Sequence, residues 1–184
     1  MRSLSLLLAL VVAVSACDSA AQPEETSTTT TLDTSTFVTY RSDELSFRVD
    51  HPETWQVLED SASGVVTFSA REPVGGFLDN FTVAVSDLPA TVTPRDYYDA
   101  QIDEIPNIFP DAEILEDVDL VIDGNLARGY TLVTEQAGIE VGLTRLVLKI
   151  GTDLWEVSFF VPANRLESSA RLIQEVLASF RPLV

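Results

Sequence analysis

Few side chains in this chain could support catalysis, and it contains a single histidine, His51. A serine hydrolase would need His51 as the general base between an acid and an activated serine. No Gly-x-Ser-x-Gly elbow is present to hold such a serine. His51 also precedes Pro52 at the end of an alternating segment, which is typical of a turn residue. We therefore predict no enzymatic activity and keep hydrolysis through His51 only as an alternative.

Acidic residues are a second possible source of chemistry, because carboxylate oxygens bind calcium. Asp117, Asp119 and Asp123 are close in sequence, but Val121 occupies a ligand position of an EF-hand loop and Gly124 is misplaced. Alternation with apolar residues is typical of the solvated face of a strand. A chain with one Cys and one His lacks the ligands of a usual zinc site. We expect no cofactor, and calcium on this face stays an alternative.

The thiol of Cys17 is a third reactive group, and it belongs to the only cysteine. It follows Val14, Ser15 and Ala16 at the end of an apolar run over residues 4–14. The run is too short to cross a bilayer, and Arg2 before it and small residues after it indicate a secretory signal. The four residues resemble the lipobox of bacterial lipoproteins, a family in which the cysteine is acylated and the preceding peptide bond is cut. An ordinary cleaved signal with an incidental cysteine is the alternative.

The lipobox resemblance implies a signal peptide at residues 1–16 and an acyl anchor, of which palmitate is one form, on Cys17. The domain would then sit at the extracytoplasmic face of the bacterial cell membrane. Residues 17–36 contain mainly Thr, Ser, Glu, Gln and Pro, so we expect them to be a disordered tether. The net charge of −18 disfavours nucleic acid and anionic lipid head groups, so we predict no nucleic-acid partner.

Residues 37–184 form the predicted folded domain, in which period-two segments outnumber helical ones. Strands are expected at residues 45–50, 55–58, 65–70, 81–85, 114–122, 126–135, 139–150 and 154–161. Asp123-Gly124 is a strong signal for a hairpin turn. In the strand before it, Ile114, Val118, Leu120 and Ile122 are expected to share one face. Short hairpins favour an α+β fold with one antiparallel sheet of about six or seven strands flanked by helices.

Two amphipathic helices are expected to lie on this sheet. Thr93 and Pro94 have the types preferred at the start of a helix, and Pro106 is expected to end it after residue 105. Residues 165–180 form the second predicted helix, with Asn164 and Glu167 at the spacing of a capping box. Its expected apolar stripe contains Leu166, Ala170, Ile173, Val176, Leu177 and Phe180.

A set of segments along the domain forms a recognisable series: Tyr40-Arg41, the strand and Pro-x-x-Trp of residues 45–55, the strand start at residues 79–83, the helix with Tyr97-Tyr98, the Asp123-Gly124 turn, residues 154–160, and the helix end at residues 178–181. Together they resemble the PsbP-like superfamily, and within it the LpqN-type lipoproteins of actinobacteria. The resemblance implies an α-β-α sandwich and a non-catalytic accessory or binding role. It identifies no site residue.

Three side chains are possible contacts for a partner. Phe77 and Leu78 lie in a loop with two glycines and would form an apolar lip, unless they pack into the core. Tyr97 adjoins Tyr98 on the first helix, so the two point in different directions and Tyr97 is expected to be partly exposed. We predict an accessory lipoprotein that binds an envelope protein or a small ligand, with a carrier of lipids or other hydrophobic ligands as the alternative.

Overall fold

The computed structural model describes residues 36–183, which form ten strands, two α-helices and one 3-10 turn. The strands are β1 (Phe37–Ser42), β2 (Phe47–Pro52), β3 (Gln56–Asp60), β4 (Val65–Ser69), β5 (Asn80–Asp87), β6 (Glu113–Ile122), β7 (Asn125–Gln136), β8 (Ile139–Ile150), β9 (Asp153–Pro162) and β10 (Arg181–Pro182). The helices are α1 (Pro94–Ile108) and α2 (Leu166–Ser179), and the 3-10 turn Ala163–Arg165 precedes α2. The predicted signal peptide, Cys17 and most of the predicted tether lie outside the described residues.

Seven strands form one antiparallel sheet in the order β3-β4-β5-β9-β8-β7-β6. A smaller sheet, β1-β2-β10, is also antiparallel. The fold is therefore α+β, as the sequence predicts. The small sheet was not expected as a separate unit, because β10 and β2 are brought together from distant parts of the chain.

The two helices pack on opposite faces of the large sheet. Along β8, Leu143 belongs to the cluster around α1, whereas Leu146 belongs to the cluster around α2. Residues an odd number of positions apart in a regular strand point to opposite faces. We call these the α1 face and the α2 face, and the small sheet packs on the α2 face beside the helix through Phe47 and Val49.

Local sequence explains the start of α1 but not its end. The Thr93 hydroxyl accepts a hydrogen bond from the backbone N–H of Asp96, whose carboxylate accepts one from the N–H of Thr93. The prediction that Pro106 ends the helix is wrong, because α1 continues to Ile108. Pro106 removes only its own N–H, and the last turn still closes through a 2.7 Å bond from the Phe109 N–H to the Ile105 carbonyl.

The second helix starts differently from the prediction. Asn164 lies inside the 3-10 turn, and Arg165 occupies the position before α2 without a side-chain cap. The apolar stripe is also rotated, since Leu172 is buried and Ala170 is exposed. Ile173, Val176, Leu177 and Phe180 are buried as predicted.

A β-bulge in β6 corrects another prediction. Ile114 pairs with Leu132 and Glu116 pairs with Thr131, so Leu115 is an extra residue in the strand. The extra residue reverses the alternation, and Ile114 lies on the α1 face with 41% of its surface exposed. Only Val118, Leu120 and Ile122 share the α2 face as expected.

Candidate functional site

An apolar groove lies on the α2 face between α2 and the edge strand β6, with a volume of about 710 Å³. The helix wall and the strand wall are both largely apolar, and the floor is formed by β7 and β8. The lining residues are Glu116, Val118, Leu120, Val121, Ile122, Thr131, Thr144, Leu166, Glu167, Ala170, Ile173, Gln174, Leu177, Ala178 and Arg181.

The position of α2 explains why the groove exists. Val176 and Phe180 are fully buried in the aromatic core that α2 forms with the small sheet and β9, so the helix lies away from β6. The side of α2 that faces β6 carries the small residues Ala170 and Ala178, which do not fill the space. An open channel is left beside β6 as a result.

The two ends of the groove are polar. At one end the buried hydroxyls of Thr131 and Thr144 are 3.2 Å apart, and the Thr131 hydroxyl donates to Glu116 at 3.4 Å. At the other end Arg181 forms an ion pair with Asp123, with 3.2 Å between Nε and Oδ1. An occupant with an apolar body and a cationic or hydroxyl group near Glu116 would fit this distribution.

The predicted contact residues lie away from the groove. Phe77 is half-buried against the cluster under α1, so it packs largely into the core, whereas Leu78 is 38% exposed. Tyr97 is half-buried, and its hydroxyl donates to Glu156 Oε1 at 2.8 Å. None of the three lines the groove, and Phe77 and Tyr97 are both on the α1 face.

Tyr97 instead belongs to a buried polar network beneath α1. Glu156 also accepts from Gln101 Nε2 at 2.8 Å and lies 3.7 Å from Arg145 Nη1. The Arg145 Nε donates to the Ser158 hydroxyl at 3.0 Å. Burial, reinforced by the charge of Glu156, raises the pKa of the Tyr97 hydroxyl, so it keeps its proton and acts as a donor. This network attaches α1 to the sheet, a role that a partly exposed tyrosine did not suggest.

The acidic face considered for calcium has other partners. The Tyr98 hydroxyl donates to Asp117, Arg128 pairs with Asp119, and Arg181 pairs with Asp123. Each of the three carboxylates therefore has its own partner, and their alternation in the sequence is that of side chains on the exposed face of a strand. Within residues 36–183, no group of three or more His, Cys, Asp or Glu side chains is placed to hold a metal ion.

His51 lies inside β2, so the prediction that it is a turn residue is wrong. It is 6% exposed, its ring packs 5.1 Å from Phe68, and Nδ1 is 3.0 Å from the Pro52 carbonyl. Burial lowers the pKa of His51, although the Pro52 carbonyl and Asp50 oppose the effect. These surroundings are those of a core residue.

None of the residues that line the groove was predicted to form a binding site. The groove arises from the rotated stripe of α2, and the available signal was that the predicted apolar stripe included the small residue Ala170. Among residues 36–183, no helix is long and apolar enough to cross a membrane.

Comparison with known proteins identifies the fold. No family model matches the sequence, and no curated protein matches it significantly. The cyanobacterial PsbP of Synechocystis superposes with a TM-score of 0.64 at 17% identity, covering 79% of this chain and 92% of that one. LpqN of Mycobacterium tuberculosis, described as involved in cell envelope biogenesis, gives 0.61 at 11% identity, with coverages of 73% and 81%. The Ran-binding protein Mog1p of Saccharomyces cerevisiae gives 0.60 at 10% identity, with coverages of 80% and 96%. The chain therefore has a PsbP-like fold, as its sequence predicts.

Proposed function

We propose that this chain is a membrane-tethered, non-enzymatic accessory protein that holds an apolar segment of another envelope protein in the groove between α2 and β6. The observation that supports this most directly is the groove itself. Its volume of about 710 Å³ lies in the range of binding sites, and its walls are apolar with few polar groups. The side chains that line its two walls are on α2 and β6, which are regular elements, so a ligand would not have to order a loop in order to bind.

An open groove favours a macromolecular segment over a fully enclosed small molecule. An enclosed ligand site would bury most of its ligand, whereas this site is a groove that is partly open to solvent. The aromatic core beside it is closely packed, as the 4.3 Å stack of Phe68 on Phe81 illustrates. A carrier of hydrophobic ligands is the second candidate, and the size and apolar lining of the groove favour it.

The tether is the second part of the proposal, and it rests on the lipobox ending at Cys17. The envelope role described for LpqN, which shares the fold, supports it. Cys17→Ser would remove the acylation site, so the variant should leave the membrane fraction or stay uncleaved. Equal partitioning of both proteins, with the same unmodified N-terminus, would contradict the tether without affecting the groove.

The non-enzymatic part rests on the surroundings of His51. Its imidazole is buried against Phe68, and its close polar neighbour is a backbone carbonyl instead of a carboxylate or an activated serine. A general base needs access to the proton it removes, and this position does not provide that access.

The groove is tested by filling it. Ala170→Trp on the helix wall should occupy the channel, whereas Ser168→Trp, on an exposed position outside the lining, is the matched control. Nile red, a neutral dye that fluoresces in apolar sites, should bind the wild type and Ser168→Trp and bind Ala170→Trp at least tenfold more weakly. Equal binding to all three proteins would contradict the proposal.

A second measurement distinguishes the accessory role, in which the groove binds a partner protein, from the carrier role, in which it binds a lipid. Membranes from the native cell are cross-linked with the wild type and with both tryptophan variants. A protein recovered with the wild type and Ser168→Trp but not with Ala170→Trp supports the accessory role. A lipid that co-purifies stoichiometrically and depends on Ala170 in the same way favours the carrier.

A further inference from the structure

The outer edge of β6 has unpaired backbone groups, since β6 pairs with β7 and ends the large sheet. Ile122 and Asn125 flank the two-residue turn Asp123-Gly124 and therefore form a hydrogen-bonded pair. Pairs alternate along an antiparallel ladder, so the N–H and C=O groups of Asp117, Asp119 and Val121 point outward. These groups form a template for one more strand.

We propose that an extended, basic segment of the partner protein adds to the sheet as a strand along β6. This deepens the proposed function, on which it rests, by naming the conformation and charge of the segment. Val118 and Leu120 on β6 already form the strand wall of the groove. Side chains of an added strand that point to the same face would extend that wall and close the groove against α2. Main-chain bonds would supply affinity, and alternate side chains would supply specificity.

Charge determines which segment fits. Glu113, Glu116, Asp117 and Asp119 all lie on β6, and the whole chain has a net charge of −18. Directly opposed like charges destabilise a strand pair, whereas opposite charges stabilise it. A second copy of this chain would place acid against acid along β6. A segment with Lys or Arg opposite Asp117 and Asp119 and apolar residues toward the groove is complementary.

The bulge at Leu115 limits the length of the added strand. Regular pairing geometry extends from Glu116 to Ile122, and the bulge disturbs the ladder before Glu116. The expected footprint is therefore this part of β6 together with the groove beside it.

The test uses the full chain and a capped synthetic peptide of alternating lysine and valine, with a glutamate-valine peptide as the charge control. Val121→Pro removes one outward N–H and leaves the ladder with β7 intact, whereas Val121→Thr keeps that N–H at the same exposed position. Binding is measured by fluorescence anisotropy, and amide hydrogen exchange is followed by NMR on the wild type. Thermal melts establish that both variants are folded.

We expect the lysine peptide to bind and to slow exchange of the amides of Asp117, Asp119 and Val121, which are otherwise unpaired. Val121→Pro should weaken binding by about tenfold, as loss of one main-chain hydrogen bond predicts, and Val121→Thr should bind nearly as the wild type. Binding without protection of these amides, equal effects of the two variants, or equal binding of the glutamate peptide would overturn strand addition. Failure of the peptide to bind would overturn it too.

The exchange experiment uses only the wild type, so it still tests strand addition if the Val121→Pro protein does not fold. The Nile red result distinguishes the two proposals. One outcome is that Nile red binds the wild type and fails to bind Ala170→Trp while the peptide shows no strand addition. That result would support the groove function and overturn only the added strand. If both fail, the groove has no binding role.

Discussion

The two faces of the large sheet are stabilised by different chemistry. On the α2 face, Phe81 stacks between Phe68 and Phe159, with ring centroids 4.3 Å and 5.2 Å away. On the α1 face, the centre is occupied by Arg145 and Glu156. Apolar packing tolerates a gap at its border, and that is where the groove lies. The polar groups on the α1 face form directional contacts between α1 and the sheet, through Tyr97 and Gln101 to Glu156.

The two faces therefore contribute to the fold in different ways. The aromatic core of the α2 face is closely packed around α2 and the small sheet and leaves the groove at its border with β6. The ion pair on the α1 face adds little net stability by itself, because desolvation of the two charges offsets much of their attraction. The contribution of the polar network is to attach α1 to the sheet.

The largest expected effect is on the aromatic core. Phe81→Ala should lower the free energy of unfolding by about 3–5 kcal/mol, because it removes transfer free energy and leaves a cavity between two rings. Thr82→Ala, the next residue on the opposite face and half-buried, is the control, with a change of about 1 kcal/mol or less. Urea unfolding measures both, and equal losses would contradict the proposed contrast.

The next largest effect is on the buried ion pair. Glu156→Leu should cost about 3 kcal/mol in the free energy of unfolding, because it leaves the Arg145 guanidinium buried without a counter-charge. Adding Arg145→Met should recover part of this loss, although the Tyr97 hydroxyl would still lack its acceptor. A double-mutant cycle measures the coupling. Strictly additive losses would mean that the pair contributes nothing specific.

A smaller effect depends on pH and concerns His51, at the border of the aromatic core. Burial lowers the pKa of His51 in the native state, so the unfolded state takes up a proton first as the pH falls below about 6.5. The native state should therefore become less stable relative to the unfolded state between about pH 7 and pH 5 through this residue. His51→Leu should remove that part of the pH dependence. Parallel stability curves for the two proteins would contradict the assignment.

The smallest effect is expected at the open border. Gln174 is exposed on the groove wall, and Gln174→Ala should change the free energy of unfolding by no more than about 0.5 kcal/mol. Leu177 lies one turn further along α2 and is buried. Leu177→Ala should therefore lower the free energy of unfolding by about 2–5 kcal/mol. Thermal melts compare them directly. A large loss at Gln174 would show that the groove wall is structural.

The elements with strong local signals were predictable from sequence. The Asp123-Gly124 turn adopts positive φ at both residues, as its composition predicts, and Thr93-Pro94 starts α1. The α+β class and the number of strands in the large sheet also follow from alternation and short turns. In each case a few neighbouring residues determine the conformation.

The features that were not predicted from the sequence depend on contacts between distant residues. Leu115 has no property that marks it as an extra residue in β6, and the bulge becomes visible only in the pairing with β7. The pairing of Arg145 with Glu156 joins two strands whose apolar neighbours gave no reason to expect charge. The groove depends on where α2 settles, which the aromatic core decides. A candidate site of this kind is a property of packing and has no motif.

The bulge at Leu115 has a consequence for the solubility of the protein. Long, flat, apolar strand edges recruit other strands and start aggregation. Deleting Leu115 would straighten β6 into a longer regular edge, with Ile114 retained opposite Leu132. The extra residue and the carboxylates around it are features that disfavour pairing of this strand edge with further copies of the chain.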